Sequence, residues 1–138
     1  MIRQKVLFLC NNNSCRSQMA EGLLRAAAAE SFEAFSAGSE PTYVHPMAIK
    51  VMREIGIDIS KQQSKSLSIF DGWLFDFVIT VCKGDSCPFF AGKAGMSLAW
   101  NFDDPASVSG TEEAVLGVFR RVRDDIQDSI QRFVAQYG

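Results

Sequence analysis

Cys10 and Arg16 stand six positions apart in Cys10-Asn11-Asn12-Asn13-Ser14-Cys15-Arg16-Ser17. A thiol and a guanidinium at that separation, joined by small polar residues, can wrap one tetrahedral oxyanion. The expected arrangement turns the backbone N–H groups of Asn11, Asn12, Asn13, Ser14, Cys15, Arg16 and Ser17 inward, forks Arg16 onto two oxygens and sets Cys10 beneath the central atom. The same positive field is expected to lower the Cys10 pKa and give a thiolate nucleophile. Three consecutive Asn residues suit a loop with unusual dihedrals, because Asn tolerates the left-handed region. The Ser17 hydroxyl is expected to hydrogen-bond the thiolate. This pattern predicts an enzyme acting on phosphate or a phosphate-like anion.

Breaking the bond from such an anion to a leaving oxygen needs a proton donor. Asp103-Asp104-Pro105 offers one, with Asp104 preferred because Pro105 rigidifies it directly; a plain Asp-Pro turn is the simpler alternative. The chain has 4 cysteines. Beyond Cys10 and Cys15, Cys82 and Cys87 flank a polar, Gly-containing loop, Lys83-Gly84-Asp85-Ser86. Two thiols on such a loop, facing a third nucleophilic one, suggest a disulfide relay. A metal site built with Cys10 or Cys15 is the main alternative, weakened by a single His, His45, and by the lack of two-residue Cys spacing. A pair of inert buried cysteines is the other. Cys15 reads as a packed residue rather than a backup thiol, and His45 as a cap or surface residue at the start of a helix.

These groups need elements to position them. Val6-Leu7-Phe8-Leu9 is an apolar strand ending at Cys10. Ser17 to Glu30 is a helix with Met19, Ala20, Leu23, Leu24 and Ala27 as its apolar stripe. Phe32 to Ser36 predicts a second strand, with a turn at Ala37-Gly38. Pro46 opens a helix through about Ile55, which Gly56 ends. Ile57 to Ser60 reads as a short extended stretch, and Ser66 as the cap of a short helix through Phe70. Phe77 to Val81 is a buried strand ending at Cys82, and Met96 to Trp100 a fourth strand. Thr111-Glu112-Glu113 opens a long helix with Val115, Val118, Phe119, Val122, Ile126, Ile130, Phe133 and Val134 on one face. Alternating strands and helices predict a parallel sheet with helices on both faces. Ligands of such folds bind at the carboxyl ends of strands, where Cys10 and Cys82 would share one crevice.

The 138 residues suit a single domain spanning 1–138, and 47% hydrophobic residues suffice for a core. A net charge of −2, with acids and bases mixed, argues against a nucleic-acid or membrane-surface binder. No apolar run approaches the roughly 20 residues of a membrane span. The apolar stretch after the basic Met1-Ile2-Arg3-Gln4-Lys5 is too short for a signal peptide. The expectation is a cytoplasmic protein with reduced, working thiols.

Taken in order, the motifs resemble the arsenate reductases that share the low-molecular-weight tyrosine phosphatase fold. The likeness rests on Cys10 through Gly22, on Ser36-Ala37-Gly38, on His45-Pro46-Met47-Ala48 and on Gly56-Ile57-Asp58-Ile59-Ser60. It continues through Val78-Ile79-Thr80-Val81-Cys82 with Cys87-Pro88, and Trp100-Asn101-Phe102-Asp103-Asp104-Pro105-Ala106. The resemblance implies an α/β fold: a three-layer α/β/α arrangement around a four-stranded parallel sheet, low-molecular-weight tyrosine phosphatase-like. It implies that Cys10 attacks arsenate held by Arg16 and the loop amides, and that Asp104 protonates the departing hydroxyl. Cys82 then attacks Cys10 and releases arsenite, and Cys87 attacks Cys82. Thioredoxin, or a glutaredoxin-type reductant, restores the thiols. No bound cofactor and no metal are implied, only an external thiol reductant, and the chain is expected to work as a monomer.

Three positions depart from the family pattern. Cys82 and Cys87 enclose four residues, fewer than usual. Asn12 stands where relatives often carry Gly or His. Lys65 lies where some relatives place an acid that helps hold potassium beside the counterparts of Asn13, Glu21 and Ser36; a lysine ammonium there implies no potassium requirement. The competing reading is a protein tyrosine phosphatase using the same Cys10, Arg16 and Asp104, with water resolving a phosphocysteine. Against it, Ala106 and Ser107 follow the Asp-Pro where aromatic residues would grip a substrate ring, and a phosphatase has no need of Cys82 and Cys87. A non-enzymatic thiol-redox binding module is the third reading, disfavoured by the intact Cys10, Arg16 and Asp104.

Overall fold

The computed structural model describes residues 2–83, 88–90 and 92–138. Its strands are β1 (Gln4–Cys10), β2 (Phe32–Gly38), β3 (Leu74–Thr80) and β4 (Lys93–Ala99). Its helices are α1 (Arg16–Ala28), α2 (Pro46–Glu54) and α3 (Glu112–Tyr137), with two 3-10 turns at Leu67–Phe70 and Pro105–Ser107. All strand pairs are parallel, in the order β2-β1-β3-β4. The chain leaves β1 for β2 on one side and returns to β3 on the other. The crevice between the carboxyl ends of β1 and β3 is therefore the switch point where this architecture receives ligands.

Alternation along β1 divides the core. Val6, Phe8 and Cys10 face a cluster built with Met19, Leu23 and Leu24 of α1, Val51 and Met52 of α2, and Leu116, Phe119, Ile126 and Phe133 of α3. Leu7 and Leu9 face the opposite cluster, with Ala37, Phe70, Phe75, Val78 and Phe90. All three α-helices thus share one face. The layer on the other face comes, among the described residues, from the Leu67–Phe70 turn and Phe90, with Phe35 and Trp73 packed edge-on to Phe70.

The ends of the elements follow local chemistry. The His45 imidazole caps α2 by accepting from the Met47 N–H, and Pro46 fills the first helical position. Gly56 adopts φ 82° just past α2, which a side chain would resist. The Ser66 hydroxyl caps the first 3-10 turn. Thr111 caps α3 by accepting from the Ala114 N–H at 3.2 Å, and Glu112 and Glu113 complement the positive end of its dipole.

Several details differ from the expectation. The alternation of elements predicts helices on both faces of the sheet, but all three α-helices pack on one, and the opposite face is covered, among the described residues, by the Leu67–Phe70 turn and neighbouring aromatic side chains. β3 and β4 begin three residues earlier than expected and end one residue earlier, at Thr80 and Ala99. β2 continues through Ala37 and Gly38, because those residues pair with Leu9 and Cys10 of β1. Ile57 to Ser60, read as a short extended stretch, pairs with no strand, and Ile59 is fully buried beside Gly22 of α1 and Met52 of α2. Ala27 is exposed, since α1 runs out past the core after Leu24. On α3 the buried stripe includes Leu116 and Arg123, with Val115, Val118 and Val134 at its margins. Arg123 is buried because its guanidinium donates to the Val51 carbonyl at 2.8 Å and to Glu54 at 2.9 Å, closing the C-terminal end of α2.

Candidate active site

The loop from Asn11 to Cys15 is held from outside by its carbonyls. The Asn11 carbonyl accepts from the Glu40 N–H at 2.9 Å, and the Ser14 carbonyl from the His45 N–H at 3.1 Å. The Asn12 carbonyl takes both the Thr42 N–H at 3.3 Å and the Ser64 hydroxyl at 3.0 Å. With these carbonyls turned outward, the N–H groups of the same peptides turn in. The N–H groups of Asn11 and Asn12 do reach the Cys10 sulfur.

Asn13 is the pivot of the loop. It is fully buried, at φ 49°, the left-handed geometry expected of one of the three Asn residues. Its side chain satisfies three partners. Oδ1 accepts from the Lys65 N–H at 2.8 Å and from Gln18 Nε2 at 2.9 Å, while Nδ2 donates to Ser17 Oγ at 2.8 Å. The buried Ser17 hydroxyl is thus an acceptor from Asn13, and the hydrogen bond expected from it to Cys10 is not formed among the described residues. Gly38 lies directly behind. A Cβ there would stand 2.5 Å from the Asn11 carbonyl oxygen, 2.7 Å from that of Cys10 and 2.9 Å from the Asn13 nitrogen.

Arg16 opens α1 and is almost wholly buried. Nη1 donates to the Phe102 carbonyl at 3.1 Å, and Nη2 lies 3.8 Å from Asp104 Oδ2. Asp104 is itself oriented, because its Oδ1 accepts from the Ala106 N–H at 3.0 Å and caps the second 3-10 turn. Cys10, Arg16 and Asp104 line a cavity of about 340 Å³, together with Asn12, Ser14, Cys15, Tyr43, His45 and Ala106. Asp103 points elsewhere, onto Lys83 and Arg121. The preference for Asp104 over Asp103 therefore has a geometric basis beyond the adjacent proline.

The charge state of Cys10 departs from the expectation. Burial pushes its thiol above the usual range; Arg16 and the N–H groups of Asn11 and Asn12 pull it down without overcoming that, and the Asp104 carboxylate adds to the rise. The loop field acts in the expected direction, but desolvation by burial outweighs it. Cys15 is pushed up to about 12, chiefly by burial. As a buried thiol packed in the helix-side core, it matches the packing reading. Burial also lowers the His45 pKa, against the pull of Asp104. Its Nδ1 accepts from Met47, so the neutral ring carries its proton on Nε2.

Cys82 follows β3, only 1% exposed. It lines a second cavity, of about 440 Å³, with Asn11, Lys83, Asp103 and Arg121. Arg16 and Asp104 line both cavities, so they form the partition between Cys10 and Cys82. Register explains the proximity: Leu9 pairs with Thr80, and the Val81 N–H donates to the Leu9 carbonyl at 2.9 Å. Cys10 and Cys15 are free thiols, whereas Cys82 is disulfide-bonded. Cys87 lies outside the described residues.

The neighbourhood behind the loop also assembles. Glu21, buried in α1, accepts from the Ser36 hydroxyl at 2.6 Å and from Arg25 at 2.7 Å. The Lys65 ammonium lies 3.7 Å from the same carboxylate and donates to the Gln63 carbonyl at 2.8 Å.

Sequence reasoning missed Tyr43, 60% exposed on the mouth of the cavity and stacked toward His45. It also missed the Phe102 carbonyl and Gly38. None has a local signal; only the fold brings them to the loop.

A family profile described as low molecular weight phosphotyrosine protein phosphatase matches residues 5–137. An arsenate reductase of Shouchella clausii is 43% identical over 135 residues, covering 96% of each chain. A solved structure described as an arsenate reductase in the phosphate binding state superposes with a TM-score of 0.85 at 35% identity, covering 98% of this chain and 99% of the other. One described as an arsenate reductase in oxidized state gives a TM-score of 0.83, also at 35% identity and with the same coverage.

Proposed function

We propose that this chain, which belongs to the low molecular weight phosphotyrosine protein phosphatase family, is an arsenate reductase that works by a three-cysteine relay. The observation that carries the reading is the shared partition. A second cysteine, Cys82, lies beyond the same Arg16 and Asp104 that line the Cys10 cavity. A phosphatase has no use for a thiol there. The similarity to arsenate reductases across nearly the whole chain supports the same conclusion.

In the proposed reaction the oxyanion enters the loop, where the inward N–H groups, the α1 N-terminus and Arg16 hold three of its oxygens. With burial raising the Cys10 pKa, the thiol passes its proton to an oxygen of the bound arsenate dianion as the sulfur attacks; the Ser17 hydroxyl and the loop N–H groups then stabilise the sulfur. Cys10 forms a sulfur–arsenic bond, an arsenic–oxygen bond breaks, and Asp104 protonates the departing hydroxyl to water. The Cys82 thiolate then attacks the Cys10 sulfur. The sulfur–arsenic bonding pair stays with arsenic, which falls from arsenic(V) to arsenic(III) as two thiols become one disulfide. Cys87 attacks Cys82 and frees Cys10. An external dithiol protein, thioredoxin or a glutaredoxin-type reductant, closes the cycle. A cytoplasmic setting suits thiols that must be reduced between turnovers. A monomer suffices, since one chain supplies every proposed contact to the anion.

The test is arsenite formation by the reduced protein with thioredoxin. The parent is expected to turn over repeatedly. Cys82→Ser should release no arsenite and retain the arsenic on Cys10, and Cys87→Ser should stop after about one arsenite per chain. Repeated turnover by both variants would exclude the relay.

No metal or other cofactor enters this scheme. The Lys65 ammonium already faces Glu21 beside Ser36 and the Asn13 loop, which supports the absence of a potassium requirement. Activity is expected to be equal in potassium and sodium chloride at matched ionic strength. A strong, potassium-specific rise would contradict this.

One observation favours a secondary hydrolytic activity. Tyr43 places an aromatic ring at the mouth that Ala106 leaves open, and the loop distinguishes phosphate from arsenate poorly. Good hydrolysis of an aryl phosphate with no reduction of arsenate would make hydrolysis the main function.

A further inference from the structure

Asp103 precedes the acid facing the thiol, yet its carboxylate is committed to another task. One oxygen accepts from Lys83 Nζ at 2.7 Å and the other from Arg121 Nη2 at 3.1 Å. Arg121 lies 3.6 Å from Asp125, one turn further along α3. Lys83 directly follows Cys82, so a chain of charge pairs ties the residue after Cys82 to the long helix. Lys83, Asp103 and Arg121 line the same cavity as Cys82, Arg16 and Asp104.

The pairs are substantially exposed, and exposed pairs contribute little to stability. Their value is geometric. Cys82 stands at the last point anchored by the sheet, through the Val81 N–H to Leu9 contact. Beyond it, among the described residues, Lys83 has the next long-range tie to the fold, and that tie is Asp103. Lys83 and Arg121 hold the Asp103 carboxyl below the usual carboxylate range, so it stays ionised where the enzyme works and makes a poor acid.

We propose that Asp103 is a positioning residue for the sulfur-transfer step: by gripping Lys83 and Arg121 on its two oxygens, it fixes the residue after Cys82 to α3, beside the cavity that Cys82 lines with Arg16 and Asp104, from which the reduced Cys82 attacks. The inference rests on the relay proposed above. It separates the two neighbouring acids by task, with Asp104 serving the arsenic–oxygen bond and Asp103 the attack of Cys82 on the Cys10 sulfur. That attack forms a sulfur–sulfur bond and breaks the sulfur–arsenic bond, and it requires close alignment of three atoms.

The test compares Asp103→Asn, Asp103→Glu and Lys83→Met with the parent, all fully reduced. Single-turnover arsenite release, with quantified Cys10–Cys82 disulfide, is expected to slow about tenfold in Asp103→Asn and in Lys83→Met, since a small misplacement of a reacting group costs one to two orders of magnitude. The double variant should be no slower than either, and Asp103→Glu should recover part of the rate. Binding of inorganic phosphate, measured by calorimetry, should stay within about twofold of the parent, because no loop contact changes. Single-turnover release at the parental rate in Asp103→Asn would overturn the proposal, as would an equal loss of phosphate binding. Failure of the relay itself registers separately, as repeated turnover by Cys82→Ser.

Discussion

Replacing Arg16 by Lys is expected to lower both arsenate reduction and any aryl phosphate hydrolysis by about a thousandfold, the scale seen for removal of an oxyanion donor. The reason is that Arg16 has two tasks at once. Nη1 is fixed by the Phe102 carbonyl at 3.1 Å, while Nη2 faces the cavity 3.8 Å from Asp104. A guanidinium is planar, so the first contact orients the second, and its remaining N–H groups can fork onto two oxygens of one anion. A lysine ammonium is a single point. If it reaches the anion it leaves the Phe102 carbonyl without this donor, and if it stays with Phe102 it abandons the anion. The measurement is kcat and KM for both reactions, with phosphate affinity by calorimetry and the thermal midpoint for each protein. A parallel fall in both activities and in phosphate affinity is expected. A loss below tenfold would show that the loop N–H groups and the helix terminus carry the anion without Arg16.

How much of this was legible in the sequence depends on how local each relation is. Cys10, Arg16 and the loop between them are joined by consecutive residues, and the strand before and helix after follow from hydrophobic pattern. Asn13 in the left-handed region is a local preference too. The sheet, with Cys10 and Cys82 at neighbouring strand ends, follows from the alternation of elements. What escaped depends on distant packing. The sign of the Cys10 shift could not be read from the loop charges, because the opposing effect is burial by the rest of the fold. Tyr43 reaches the cavity only because the segment after β2 is pinned to the loop carbonyls at Asn11, Asn12 and Ser14. Its presence softens the argument from Ala106 that the mouth lacks an aromatic grip. The division of labour between Asp103 and Asp104 lies in which way each carboxylate turns, and two adjacent acids look alike in sequence. The Lys65 neighbourhood was readable only through family resemblance, since its parts come from the loop, α1, β2 and the segment before the first 3-10 turn.

Gly38 shows most directly how the fold shapes the site, and Gly38→Ala is the second large effect expected. Gly38 is outside the positive-φ residues, so the backbone itself would accept alanine. The obstacle is space. All three atoms nearest to an added Cβ, at 2.5, 2.7 and 2.9 Å, belong to the backbone at Cys10, Asn11 and Asn13, and none is the end of a flexible side chain. Gly38 cannot retreat easily either, because it pairs with Cys10 in register, donates its N–H to the Lys65 carbonyl at 2.9 Å and bridges Ser66. The strain must therefore enter the loop and tilt the peptides whose N–H groups surround the anion. Overpacking of this kind costs about 1–3 kcal/mol of stability, and displacement of the oxyanion donors costs about a hundredfold in kcat/KM. Gly56→Ala supplies the contrast. It meets the strained φ of 82° with no atom within 4 Å, so it should destabilise by about 1–2 kcal/mol while leaving the kinetics intact. Unfolding curves would show similar losses for the two variants, and steady-state kinetics with phosphate calorimetry would separate them. Parental kinetics in Gly38→Ala would mean that the loop can shift without moving its inward N–H groups, and that the close approach of β2 serves packing alone.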